Sequence, residues 1–156
     1  MKLLLYPLVL ILLLAGCSKN ESEGENNKNN TSTVLVNTKW KCVGFVEGDN
    51  PLELIEPNEI SGNYVKEYLR KIYNIAFEKE GLFKGFATSH DLKGVYVTDG
   101  NSISLRISTS WEKSLEILDG ERFISALLQC FKYELVQKQL KLYYGDNQYL
   151  LFNLVE

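Results

Sequence analysis

One histidine, one methionine, three cysteines and three prolines are all that 156 residues contain of these types. Nor is there an apolar run of the roughly 20 residues that a membrane-spanning helix needs. A single histidine and unclustered cysteines make no zinc ligand set, so no metal and no cofactor is expected. Catalysis of the Ser/His/Asp or Cys/His kind would have to run through His90, with Ser89, Cys42 or Cys130 as nucleophile, and no nucleophile elbow accompanies it. His90 therefore reads as a solvated turn residue, and no enzyme is expected. Glu53, Glu56 and Glu59 cluster in a Pro-containing loop with Asp49 nearby but match no calcium loop, so they read as a solvated acidic segment. Net charge is −3 and no block of Lys or Arg stands out, which argues against a nucleic-acid partner.

What is present begins with an address. Lys2 precedes an apolar run from Leu3 to Leu14, too short to span a bilayer, which reads as the core of a signal peptide over residues 1–16. Leu14-Ala15-Gly16-Cys17 resembles the lipobox of bacterial lipoproteins. The resemblance implies that Cys17 is acylated on its thiol, becomes the first residue after cleavage, and is acylated again on its amine. More than one chain is what stable anchoring requires. From Ser18 to Thr33 there is no apolar residue, a composition that cannot offset chain entropy, so 17–33 is expected to be a lipidated, disordered tether. Glu21, Glu23 and Glu25 resemble the signal that exports Bacteroidota lipoproteins to the cell surface, against the alternative of a plain solvated linker.

Residues 34–156 are then one domain of ordinary size. Losing Lys2 with the signal takes the net charge from −3 to −4. Cys42 and Cys130 remain in a chain that leaves the reducing cytoplasm. A disulfide between them and two buried free thiols are both open, since each cysteine lies on the apolar face of its element.

Short alternating segments separated by turn signals predict a mainly β (α+β) domain, an antiparallel sheet or barrel of about seven to eight strands. Thr38 to Val46 opens it, with Trp40, Cys42, Gly44 and Val46 expected on one face. Tyr73–Glu78 is expected to pair with Leu82–Ser89 about Lys79-Glu80-Gly81, and Leu92–Thr98 with Ser102–Thr109 across Asp99-Gly100. The chain ends as a meander over Phe131–Val136, Gln139–Tyr144 and Gln148–Val155. Helical spacing predicts a short helix near 62–71. A second, well-defined helix is expected over about 119–130, capped by Asp119 and stapled by Leu118 and Phe123.

Trp40, the phrase Phe83-Lys84-Gly85-Phe86-Ala87 leading to Gly94-Val95-Tyr96, Ile103–Thr109, the helix 119–130, then Tyr133-Glu134-Leu135 and Leu140-Lys141-Leu142 resemble the META or HslJ-like domain in order and type. That resemblance spans roughly Asn37 to Phe152. It implies a compact β fold with a helix packed on it, found in envelope lipoproteins, and names no catalytic residue. The family's cysteine pair is missing, with Ala87-Thr88-Ser89-His90 and Ser110-Trp111 in its places. A lipocalin-like barrel is a second resemblance and implies a ligand cavity in the lumen.

The expectation for function is an outer-membrane-anchored lipoprotein whose domain is a non-enzymatic binding or accessory module for an envelope protein or an extracellular polymer. Its binding surface would be built from Trp111, Tyr64 and Tyr68, and a small hydrophobic-ligand carrier is the alternative. Aromatic strand residues such as Tyr143, Tyr144 and Tyr149 serve as readily in a small β core.

Overall fold

In a computed structural model of the protein, residues 34–54, 68–109 and 119–155 are described. Among the described residues the strands are β1 (Thr38–Glu47), β2 (Glu53–Leu54), β3 (Asn74–Phe77), β4 (Leu82–Phe86), β5 (Asp91–Asp99), β6 (Ser102–Ile107), β7 (Lys132–Val136), β8 (Gln139–Gly145) and β9 (Gln148–Leu154), and a ten-residue α-helix, α1, lies at Gly120–Gln129. All belong to a single antiparallel sheet. β1 and β3 to β9 follow one another around a ring that the β1–β9 pairing closes, so the domain is an eight-stranded barrel, and β2 lies beside β1 through Gly44 and Phe45. The expected barrel with one well-defined helix is what forms. Of the short helix expected near 62–71, residues 68–71 are helical and the rest lies outside the described residues.

Period-two alternation builds the wall. In β5, Leu92, Gly94, Tyr96 and Thr98 are buried while Asp91, Lys93, Val95 and Val97 face out, so every second residue is withdrawn from water. The lumen is filled by Phe77, Phe83, Phe152, Tyr73 and Tyr96 together with aliphatic side chains, all fully buried. Phe77 meets Tyr96 edge-on at 4.7 Å between centroids. Buried tyrosines need polar partners, and they have them: Tyr96 donates to the Glu78 carbonyl at 3.3 Å, and the Tyr73 hydroxyl accepts the Asp119 N–H at 3.1 Å.

Three expectations are corrected. The register slips between Cys42 and Gly44, a bulge that turns the rest of β1 over. Phe45 is thereby buried and Val46 moves to the outer side, the reverse of strict alternation. The β5–β6 loop is Gly100-Asn101, one residue later than Asp99-Gly100, because Asp99 still pairs with Ser102 while Gly100 takes φ 55°. Asp119 precedes α1 without a side-chain cap. Its backbone, at φ −89° and ψ 18°, lacks the extended geometry that folds a cap side chain back onto the first turn. Leu118, the other half of the expected staple, lies outside the described residues.

The ring is thin at one place. β6 and β7 share the single register pair Ser102 opposite Lys132, flanked by hydrogen bonds from Ile103 N–H to the Phe131 carbonyl and from Tyr133 N–H to the Asn101 carbonyl. α1 lies in the connection between these strands and wedges Phe123 into the lumen, edge-on to Tyr73 at 5.4 Å and 6.2 Å from Phe152. Apolar burial by the helix does there what hydrogen bonding does elsewhere in the wall.

Candidate functional site

The concavity with the most distinctive chemistry lies on the outer wall, across β1, β3, β4 and β5. Registers place Lys39, Ala76, Lys84 and Lys93 in one outward row and Lys41, Asn74, Phe86 and Asp91 in the next. Neighbouring strands are about 4.8 Å apart, so Lys39 and Lys84 stand roughly 10 Å apart with only a methyl group between them. Ala76 and Asn74 are short where their neighbours are long, and the hollow follows from that difference. β4 approaches β3 so closely beneath it that a Cβ on Gly85 would lie 2.2 Å from the Asn74 carbonyl oxygen. Only glycine permits that approach.

The helical residues 68–71 make one bank. Lys41 Nζ donates to the carbonyls of Leu69, at 2.6 Å, and Ile72, at 2.5 Å, placing a cation on the carbonyls that a helix end leaves free. Asn74 Nδ2 donates to the Lys71 carbonyl. The resulting groove has a volume of about 920 Å³ and, among the described residues, is lined by Lys39, Lys41, Arg70, Lys71, Lys84 and Lys93 against one carboxylate, Asp91. Leu69, Ala76, Phe86 and Val155 supply its apolar surface. Lys84 is paired with Glu78 at the rim. Among the described residues, Lys39, Arg70 and Lys93 have no ion pair.

A second hollow, near the α1 N-terminus, has its one cation, Arg122, held in ion pairs among the described residues. Arg122 lies 2.9 Å from both Glu47 and Glu53 and 4.0 Å from Asp119, and its guanidinium stacks 3.9 Å from the centre of the Phe45 ring. Its hydrogen bond with Arg122 holds the Glu53 carboxyl below its ordinary range. Tyr144 donates to Glu47 at 3.2 Å, and burial first, then Glu47, raises its hydroxyl to about 12. A third feature, the outer pair Tyr143 and Tyr149, is covered by Lys132 at 4.6 Å and Lys141 at 5.0 Å from the ring centres.

Tyr68 is at the edge of the groove's bank, half-buried, with its hydroxyl donating to the Thr88 carbonyl at 2.8 Å. Tyr64 and Trp111, the other two residues expected to form a binding surface, lie outside the described residues, as do Glu56, Glu59, Cys17 and the whole of 1–33. His90 is half-buried in the β4–β5 turn. Cys42 and Cys130 are both free and buried. Each sulfur faces a carbonyl of its own element, Gly44 at 3.8 Å and Ala126 at 3.2 Å, so in this structure the disulfide is not formed. Burial pushes the Cys42 thiol up to about 12 and the Cys130 thiol up as well, so neither is an activated nucleophile.

The basic groove was not visible in the sequence because its cations are scattered between positions 39 and 93. Outward lysines on alternating strands were the available signal, but adding them together requires the register.

No curated protein matches the chain. Two solved structures share its fold: the crystal structure, at 1.00 Å resolution, of a DUF4847 family protein from Bacteroides vulgatus ATCC 8482 is 21% identical with a TM-score of 0.56, covering 77% of this chain and 94% of its own. The NMR structure of a protein from Burkholderia xenovorans is 13% identical with a TM-score of 0.55, covering 78% and 84%. The expected META kinship is overturned by the family match. An opening tryptophan and a Phe-Lys-Gly-Phe strand meet the packing needs of a small barrel in general and do not distinguish one barrel family from another. The model of a domain of unknown function, DUF4847, matches residues 26–153, and the chain belongs to that family.

Proposed function

We propose that the protein is a lipoprotein anchored at the outer membrane through Cys17, whose barrel is a non-enzymatic binding module using the groove on its outer wall. The observation that supports this is a hollow of ligand-site size with an apolar floor and a predominantly basic lining. A ligand carried in the lumen, as in a lipocalin, has less support, because the interior is filled with aromatic and aliphatic side chains. The carrier alternative is favoured only in the form of an external site.

Two experiments test it. Cys17→Ser should move the protein from the membrane to the soluble fraction, and unchanged partitioning removes the anchor. Wild type and Ala76→Trp, which fills the hollow without changing charge, are incubated with detergent-free envelope extract and re-isolated. Bound lipid, glycan and peptide are then measured by mass spectrometry. Wild type should retain about tenfold more material, a difference of about 1.4 kcal/mol in binding. Equal retention removes the groove as the binding site.

A further inference from the structure

We infer that the groove takes an amphipathic anion, with an apolar body over Ala76 and Phe86 and a carboxylate, sulfate or phosphate among Lys39, Lys84 and Lys93. The inference rests on the binding role proposed for the groove and names its ligand class. In a chain of net charge −3, six cations against one carboxylate, counted among the described residues, line this one hollow. Lys84 and Lys93 are directly opposite in the β4–β5 register, a like-charge apposition that costs a sheet stability unless a counter-ion lies between. Glu78 answers Lys84 at the rim and leaves Lys93 and Lys39 facing the hollow.

Charge alone would suit an inorganic anion, but such an ion would leave the floor between the lysines unused. A neutral apolar molecule would fill the floor and strand the cations. Only a ligand with both characters uses the whole lining, and long lysine stems lying along an apolar body keep their charged ends at its head. The volume of about 920 Å³ is at the upper end of the range for sites that enclose one small molecule. The Arg122 hollow has no cation to spare, and the tyrosine faces on β8 and β9 are already covered by lysines.

The test uses the full chain carrying Cys17→Ser, which removes its own acyl chains as competitors. Dodecanoate, dodecanol and inorganic phosphate are titrated calorimetrically, and binding to phosphatidylglycerol vesicles is measured by co-sedimentation. Dodecanoate should bind one to one and about tenfold or more tighter than dodecanol or phosphate. Lys39→Gln with Lys93→Gln, both exposed positions that leave the core untouched, should remove about that tenfold preference. Ala76→Trp should abolish binding, and if that variant does not fold the lysine pair decides alone. Vesicle binding lost in the same variants assigns the anion to a membrane lipid, and dodecanoate binding without vesicle binding assigns it to a free amphiphile. Equal affinity for dodecanol and dodecanoate, or a lysine-pair variant that binds like wild type, overturns the inference. Groove-dependent retention of other material from the extract, with dodecanoate silent, overturns the ligand class and leaves the binding role. Failure of both overturns the groove.

Discussion

Raising the pH above about 9 should destabilise this barrel, because two thiols are locked in the core as neutral groups. Cys42 is pushed up to about 12 by burial, from an ordinary value of 9.0, and Cys130 is shifted in the same direction for the same reason. A group whose folded pKa is raised in this way keeps its proton in the native state while the unfolded chain releases it. Unfolded molecules then bind fewer protons, so stability falls as pH rises through 9 and goes on falling until the native thiols themselves ionise. At pH 10 each unfolded thiol of ordinary pKa gains about 1.4 kcal/mol, and the pair about 3 kcal/mol, relative to pH 7. Urea unfolding of the reduced full chain at pH 7, 8, 9 and 10 should show this loss in wild type and not in Cys42→Ala/Cys130→Ala. The alanine variant will be weaker at pH 7 but flatter across the range. Tyr143 and Tyr144, raised to about 12, are present in both proteins and cancel in the comparison. At pH 8 a thiol of pKa about 12 is roughly 10³-fold poorer in thiolate than one of 9, so native labelling by a thiol reagent should be slower by at least about that factor. Parallel alkaline slopes in the two proteins, or fast labelling of both thiols in the native state, would refute the burial on which the reasoning stands.

Phe123→Ala should cost about 3–5 kcal/mol in urea unfolding, because the ring is fully buried against Tyr73 and Phe152 where few wall hydrogen bonds join β6 to β7; a loss under about 1 kcal/mol would mean the helix is not structural there. Gly85→Ala should lower the thermal midpoint by several degrees, since its Cβ would meet the Asn74 carbonyl oxygen at 2.2 Å and the backbone must move. An unchanged midpoint would show that β3 and β4 are farther apart than described. Arg122→Met should lose about 1 kcal/mol from the Phe45 stack. The same change should reduce acid sensitivity, because Glu53 contributes stability above its unfolded pKa that is lost as pH falls through its depressed folded value. The check is thermal unfolding between pH 3 and 6, and an acid limb as steep as wild type contradicts the pairing.

Most of the barrel was legible. Alternation in β5, β6 and β8, the turn at Lys79–Gly81 and the periodicity of α1 are local signals, and the elements follow them to within a residue or two. Two features needed information that no local pattern carries. The bulge after Cys42 puts Phe45 inside, where its ring meets Arg122, a partner far along the chain. The groove depends on Lys39, Lys84 and Lys93 falling in one cross-strand row, and sequence spacing does not specify how three strand pairings are staggered. Family likeness misled for a related reason: short aromatic and glycine phrases report the local packing of a barrel wall and say little about descent.

The β6–β7 junction behaves as a clasp. A ring fastened at one register pair can part there at the expense of a few backbone bonds and the seating of Phe123, turning a closed cylinder into an open sheet with two bare borders. Amide exchange should therefore begin at Ile103 and Tyr133 and arrive last along β1 and β9, whose pairing runs from Trp40 to Glu47. The same weakness makes this the point where a second chain could insert a strand, so self-association on heating or in Phe123 variants should start from these borders. The linker that carries α1 is thus a fastening as well as a connection.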